Sequence, residues 1–458
     1  MPSAERPGEP PRPLVRLVVL NYNGGAMVQR CVQHLEDLDW PADRLEIVVV
    51  DNASIDGSPA ALAARARVRL VASPSNTGFP ANNLGLRDLD DVDYVGLVNN
   101  DAFAEPDYLH GLVAALEADP GLGAACPKIV LADRFLELTI DTPTTTVPGD
   151  PRDLGVRVSG VEVGGADAWK GAGFADGFGH EEAGDRDEGH FRWTAGHAVL
   201  RAPLGGPGDP VPTSARVRLA ALRPVKVVLD GGAGGEAVEV GTTPSWFDVP
   251  LAGEPFDVVN NVGSELVEGG WSRDRGFLQP DRGQFDEPQE VFAWCGAGVL
   301  FRADHLRDIG LFDERFFMYY EDVDLAWRGR SRGWRFAYVP TSRLRHVHAA
   351  TSVEGSDMFQ HFVERNRLVL LAKNAPRDLA LSAPFAYLRS TASYARRDVL
   401  RPLLRGRRPQ LGLVRRRLRS FAAFLALLPY ALDERRRIRR RQRVHDDALM
   451  GWAVRMGS

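Results

Sequence analysis

Four times in the first hundred residues an apolar run gives way to a cluster of amides and carboxylates. Leu14 to Leu20 ends at Asn21-Tyr22-Asn23, and Leu45 to Val50 ends at Asp51-Asn52-Ala53-Ser54. Val68 to Ala72 precedes Asn76-Thr77-Gly78-Phe79, and Tyr94 to Val98 stops at Asn99-Asn100-Asp101. A carboxylate flanked by amides suits a hard divalent cation such as Mg²⁺ or Mn²⁺, which takes oxygen ligands from one or two carboxylates and from substrate phosphates. Asp101 is the candidate ligand, and the charge to be neutralised is that of a diphosphate. Asp51 can accept a hydrogen bond from a nucleobase imide or a ribose hydroxyl. Asn76 and Gly78, with Asn82-Asn83, supply a flexible loop and amides ahead of a helix N-terminus, where phosphate is attracted. Each cluster alone is ordinary turn chemistry; recurrence after four successive strands is not explained by turns.

A second group lies two hundred residues on. Glu321 and Asp322 open an amphipathic helix after the aromatic run Phe316-Phe317-Met318-Tyr319-Tyr320. First-turn acids complement a helix dipole, and a carboxylate there is also positioned to take a proton from an attacking hydroxyl. Asp324 and Arg328 read as an i,i+4 surface pair. Arg365-Asn366-Arg367 either meets a diphosphate or forms a solvated helix face. Cys295, in Trp294-Cys295-Gly296-Ala297-Gly298, has no paired base and is not a nucleophile; the small residues allow close approach of a second substrate.

The elements that must position these groups follow from periodicity. Short Val- and Leu-rich runs alternating with helical spacing (Ala26 to Leu38, Gly57 to Arg67, Phe79 to Leu89) predict a parallel sheet with helices on both faces, whose ligand crevice lies at the carboxyl ends of the strands. Residues 1–13 read as a flexible leader and 14–132 as the nucleotide-binding half. Residues 133–290 are rich in glycine and β-formers and predict an inserted small β-sandwich, in which Trp169, Trp193 and Trp246 are core residues or sugar-stacking platforms. An α/β texture returns over 291–375, with a helix at Ala303 to Asp308 and a strand at Phe336 to Val339, and 376–458 is helical and basic.

Taken together, Leu20-Asn21-Tyr22-Asn23, Val50-Asp51-Asn52-Ala53-Ser54-Ile55-Asp56-Gly57-Ser58, Asn76-Thr77-Gly78-Phe79, Asn99-Asn100-Asp101 and Tyr320-Glu321-Asp322-Val323-Asp324-Leu325 resemble family 2 inverting glycosyltransferases of the GT-A fold, most closely the rhamnosyltransferase-like branch. The resemblance covers residues 14–131 and 290–373. It implies a Rossmann-like α/β core and a nucleoside-diphosphate sugar donor. Asn21, Tyr22, Asn23 and Asp51 would line the nucleoside pocket, with Asn99 near the ribose, Asn100 beside it, and Asn76, Gly78 and Asn83 on the donor side. Asp101 would hold the metal, with asparagine where an Asp-x-Asp pair usually has its first acid. Asp322 would be the catalytic base, with Glu321 orienting it or the acceptor. The family supplies a histidine after this region as a further metal ligand, and His346, then His348, are the candidates.

Composition bounds the rest. The 44% hydrophobic and 26% charged content belongs to a folded chain. The net charge of -5 hides an asymmetry, since Arg396 to Arg443 holds 17 arginines against Asp398, Asp433 and Glu434, a local balance of about +14. An acidic body argues against nucleic-acid binding, and the basic region suits an anionic membrane surface. Three scattered cysteines imply neither disulfides nor zinc. The start of the chain lacks a signal-peptide core, and Phe421 to Leu432 is too short to span a bilayer. The expectation is a cytoplasmic enzyme, peripheral at the inner face of the membrane, acting on a glycan or lipid-linked glycan acceptor. A nucleotide-dependent oxidoreductase is disfavoured because no Gly-x-Gly-x-x-Gly follows the first strand. A non-catalytic glycan-binding scaffold is the other alternative.

Overall fold

Val15–Asn21 (β1), Leu45–Asp51 (β2), Val68–Ala72 (β3) and Tyr94–Asn99 (β4) form the parallel half of a ten-stranded sheet in a computed structural model that describes residues 12–184, 189–347 and 356–455. β1 and β2 are buried along nearly their whole length, as continuous Val/Leu runs require in a sheet covered on both faces. The spatial order 3-2-1-4 places β1 between β2 and β4, so the chain departs in opposite directions from adjacent strand ends. That is where an α/β sheet opens a ligand crevice. Register brings the polar tips level: Asn21 pairs with Asp51 and Leu20 with Asn99.

The sheet continues antiparallel through Ala102–Ala104 (β5), Leu122–Leu131 (β6), Val259–Asn261 (β7), Gln289–Glu290 (β8), Gly298–Arg302 (β9) and Arg335–His346 (β10). Its order is β8-β10-β6-β9-β4-β1-β2-β3, with β7 on β6 and β5 on β10. The short strand predicted over 336–339 is thus a twelve-residue strand, held in register by β8 at one end and by β5 at the other. His346 consequently sits at a strand end opposite Ala102 and next to Asp101 in the pairing, not in a following loop.

Helices Gly25–Glu36 (α1), Ser58–Ala63 (α2), Tyr108–Ala118 (α3), Ala303–Ile309 (α4), Glu321–Arg332 (α5), Asp357–Asn374 (α6), Arg377–Tyr394 (α7) and Gly412–Arg441 (α8) complete the principal elements of this unit. The helix expected over 79–89 is a six-residue 3₁₀ helix, Phe79–Leu84. Asn83 gives the reason: its amide is bonded at both ends to the Phe312 backbone, which anchors this turn to a distant loop.

The chain divides into two compact units, residues 1–130, 259–279 and 283–458, and residues 131–258 with 280–282. The second unit has two antiparallel sheets, one built on Val156–Val163 and Ser214–Ala221, the other on Phe135–Asp141 and His197–Pro203. Alternating residues of both sheets, among them Leu138, Ile140, Val158, Val217 and Leu200, make one apolar cluster, which is the sandwich expected from period-two patterning. Trp193 is buried against Phe191, whereas Trp169 packs on Phe174. Residues 259–279 and 283–290, read from sequence as part of the insert, lie in the first unit, because β7 pairs with β6 through Val259↔Val130 and Asn261↔Ile129.

Candidate active site

At the tip of β1 the Asn21 side chain is fully buried and donates from Nδ2 to Asp51 Oδ1 at 2.9 Å and to Ser58 Oγ at 2.9 Å. Asp51 Oδ2 accepts from the Ser54 backbone at 3.2 Å. Asp51 is therefore fixed by its neighbours, and Asn21 acts as the brace. Asn23, at φ 51°, accepts from Ile55 N at 2.8 Å and ties the two tips together, while Tyr22 is exposed. Gly24 packs closely here: a Cβ would lie 2.6 Å from Asn21 Oδ1 and 3.0 Å from Asn100 Nδ2. Asn76 accepts from Asn52 Nδ2 at 2.9 Å and from Gly78 N at 2.9 Å, so this loop is held to the β2 tip.

After β4 the buried Asp101 carboxylate lies 3.1 Å from Nε2 of His346. His346 Nδ1 is 3.0 Å from Asn260 Oδ1, and Asn99 Nδ2 lies 3.5 Å from Nε2. With the Nδ1 proton donated to Asn260, a neutral ring turns its Nε2 lone pair toward a carboxylate, and two acceptors at that distance need a proton or a cation between them. Two ligands about 2.1 Å from an octahedral ion and at right angles are about 3 Å apart. One oxygen and one imidazole nitrogen suit Mn²⁺, and also Mg²⁺ if phosphates complete the shell. Among the described residues no group of three or more His, Cys, Asp and Glu could hold a metal by itself. Any ion here would take its remaining ligands from diphosphate and water.

At the other end, Glu321 and Asp322 open α5 behind a contorted loop. Phe317, Tyr319 and Tyr320 all have φ of 65–70°, a costly region for aromatic residues. Asn366, on α6, holds them there by donating from Nδ2 to the carbonyls of Phe316, Met318 and Tyr319 at 2.9, 2.8 and 2.7 Å. Arg365 donates to Arg315 and Phe316 at 3.0 and 2.8 Å. Gly78 completes the clamp: with φ at +75°, it leaves only 2.0 Å between a would-be Cβ and Phe317 O. Burial, reinforced by the charge of Asp274, pushes Asp322 up to about 6, against the stabilising backbone N–H groups of Val323 and Gly296. Burial, then Asp322, pushes Glu321 well above the usual carboxylate range, and its Oε2 has no hydrogen-bond partner among the described residues. Asp274 Oδ1 accepts from Asn261 Nδ2 at 2.6 Å. Asn260 and Asn261, consecutive on β7, thus contact His346 and Asp274 respectively, the latter being the carboxylate whose charge raises Asp322.

Residues 17–145 match the model of Glycosyl transferase family 2, and residues 281–368 match that of Glycosyltransferase like family 2. Both stretches are thus similar to glycosyltransferase family 2. It is 40% identical over 83 residues to the N-acetylglucosaminyl-diphospho-decaprenol L-rhamnosyltransferases of two Mycobacterium tuberculosis strains, CDC 1551 / Oshkosh and ATCC 25618 / H37Rv. That match covers 18% of this chain and 26% of each relative, so the chain spans about a quarter of the length of these relatives. Among solved structures, GalNAc-T7 with UDP, GalNAc and Mn²⁺ aligns over 91% of this chain and 57% of its own at 12% identity and TM-score 0.45. The mannosyltransferase PcManGT from Pyrobaculum calidifontis, with GDP-Man and Mn²⁺, aligns over 96% and 79% at 15% identity and TM-score 0.37.

Several residues have other duties than the sequence reading gave them. Asn83 is buried and bonds the Phe312 backbone from both ends of its amide, a structural duty the sequence reading did not give it. Asp324 and Arg328 do bond at 3.0 Å, but the carboxylate is buried and also meets Lys373 Nζ at 2.9 Å and Asn374 Nδ2 at 2.8 Å, so the pair docks α5 on α6. Asn366 supports the loop before α5, and the Arg367 guanidinium stacks 4.0 Å from the Trp271 ring. His348 lies outside the described residues. Asn260, Asn261 and Asp274 were missed, although Val258-Val259-Asn260-Asn261 repeats the pattern of Leu97-Val98-Asn99-Asn100.

Proposed function

We propose that the chain is an inverting transferase that moves a sugar from a UDP- or dTDP-sugar to an acceptor hydroxyl by direct displacement. The observations that support this reading are the Asp101–His346 pair at 3.1 Å, arranged as two ligands of a cation would be, and the Asp322 carboxyl pushed up to about 6 by burial and Asp274. Asp101 and His346 would hold Mg²⁺ or Mn²⁺, whose charge, when bound, offsets that of the diphosphate. Asp51 accepts from the nucleoside, and Asn21 and Asn23 keep its strand tip in place. Asp322 removes the acceptor hydroxyl proton as the oxygen attacks the anomeric carbon; the bond from that carbon to the diphosphate breaks on the opposite face, and nucleoside diphosphate leaves. Glu321, held neutral by its burial, donates a hydrogen bond to the acceptor or to Asp322.

Similarity to the family and to rhamnosyltransferases named for a decaprenol-linked substrate supports a glycan or lipid-linked glycan acceptor in cell-surface polysaccharide assembly. Asp322→Asn is the test. With the base removed, transfer should fall about 10²- to 10⁴-fold, while calorimetric binding of the nucleoside diphosphate with Mn²⁺ stays unchanged. Loss of nucleotide binding instead would move the base elsewhere, and binding without any turnover by the unmodified protein would favour the scaffold alternative.

A further inference from the structure

Ten of the eighteen exposed large apolar side chains in the described structure fall within residues 381–432, and the two long helices of that segment share one design. On α8, Ser420, Phe424 and Ala431 are buried. At 100° per residue, Leu418, Leu425 and Leu432 project on the opposite side, in line with Leu411 at the helix cap, and all four are 43–56% exposed. Exposed Arg415 and Arg436 lie on that same outer side, toward its two ends. On α7, Ala383, Tyr387 and Thr391 are buried. The outer side carries Leu381, Leu388 and Phe385, the last 72% exposed, with exposed Arg389 and Arg396. Between the helices Leu404 is 77% exposed beside Arg405, Arg407 and Arg408. Solvent-facing helix surfaces are normally polar; apolar stripes bordered by arginine fit a surface that is apolar inside and anionic at its rim.

We infer that the outer faces of α7 and α8 and the Leu404 turn are a docking surface for an anionic lipid bilayer, lying in the headgroup plane. No helix among the described residues is long and apolar enough to cross a membrane, which fits in-plane attachment. A second copy of the chain is the poorer occupant, since two such faces would oppose arginine to arginine. A polynucleotide could pair with the arginines and stack on Phe385, but it would gain nothing from the aliphatic stripe of Leu411, Leu418, Leu425 and Leu432. The leucines and Phe385 would enter the boundary between headgroups and acyl chains, and each nearby arginine adds attraction to an anionic leaflet. This inference stands on surface chemistry alone and does not depend on the catalytic assignment.

The test is co-sedimentation of the full chain with phosphatidylcholine vesicles with and without phosphatidylglycerol, paired with sedimentation equilibrium in the absence of lipid. The protein should bind anionic vesicles at least tenfold more tightly than neutral ones. Leu418→Asp/Leu425→Asp and, separately, Arg415→Glu/Arg436→Glu should each reduce that binding at least tenfold without changing the thermal midpoint or nucleotide binding. If the stripe variant does not fold, Phe385→Ser/Leu404→Ser serves in its place. Equal affinity for both vesicle types, binding unaffected by the variants, or a lipid-free dimer that the stripe variant dissociates would each overturn the inference.

Discussion

Asp322 titrates near 6 because burial and Asp274 both disfavour its charge. A base must be ionised to act, so the rate should be level above that pH and fall tenfold per unit below it. Replacing Asp274 with Asn removes a negative neighbour, lowers the cost of ionising Asp322 and should slide the acid limb of the pH–rate profile to lower pH. A limb that stays or moves up would separate Asp274 from the base. The sign for stability runs the other way. A carboxyl raised above its unfolded value destabilises the ionised folded state, so Asp322→Asn should stabilise the fold above pH 6, as thermal melts would show. The positions of Asp101 and Asp322, after a strand end and at a helix start, were legible because each follows a strong local signal. Asp274 was not, because its meaning comes from a hairpin, Ser264–Val267 with Trp271–Asp274, that returns it beside Asn261.

Among the elements, the loop before α5 is the one under strain, and three aromatic residues at positive φ cost on the order of 1–3 kcal/mol each. Asn366→Ala removes a buried amide whose two N–H donors serve three carbonyls and should cost about 2 kcal/mol, at roughly 1 kcal/mol per N–H. It should also lower transfer more than tenfold with little change in nucleotide affinity. A stable, active Asn366→Ala protein would show that the loop needs no clamp. Lys373→Met would leave Asp324 and Asp313 buried without their shared cation; burial raises the Asp324 carboxyl, but Lys373 and Arg328 hold it below the usual carboxylate range. The expected loss is about 3–5 kcal/mol, read by urea denaturation. Strands β1, β2 and β4 were legible as unbroken apolar runs. β10 was legible only at its start, since Pro340, Thr341, Ser342 and Arg343 hide a strand that β5 and β8 impose by pairing.

At the scale of the molecule, the β-rich unit enters and leaves through residues that are paired neighbours, Val130 and Val259. A two-residue Asn-Gly turn can close such a gap. A chain lacking residues 131–258 should therefore keep a cooperative melt and its nucleotide affinity, and loss of both would make the second unit part of the core's stability. The unit's sandwich character was plain from alternation, but its far boundary was not, because β7 carries the same β-forming residues as the insert while pairing with β6. The central claim is that a cation at Asp101 and His346 faces the base at Asp322 across one donor site. Anomalous diffraction from crystals grown with UDP and Mn²⁺ tests it most directly. The account predicts a manganese peak bound by Asp101, His346 Nε2 and diphosphate oxygens, with the terminal phosphate directed toward Asp322. Bound UDP with manganese elsewhere, or with its phosphates turned away from Asp322, would contradict it.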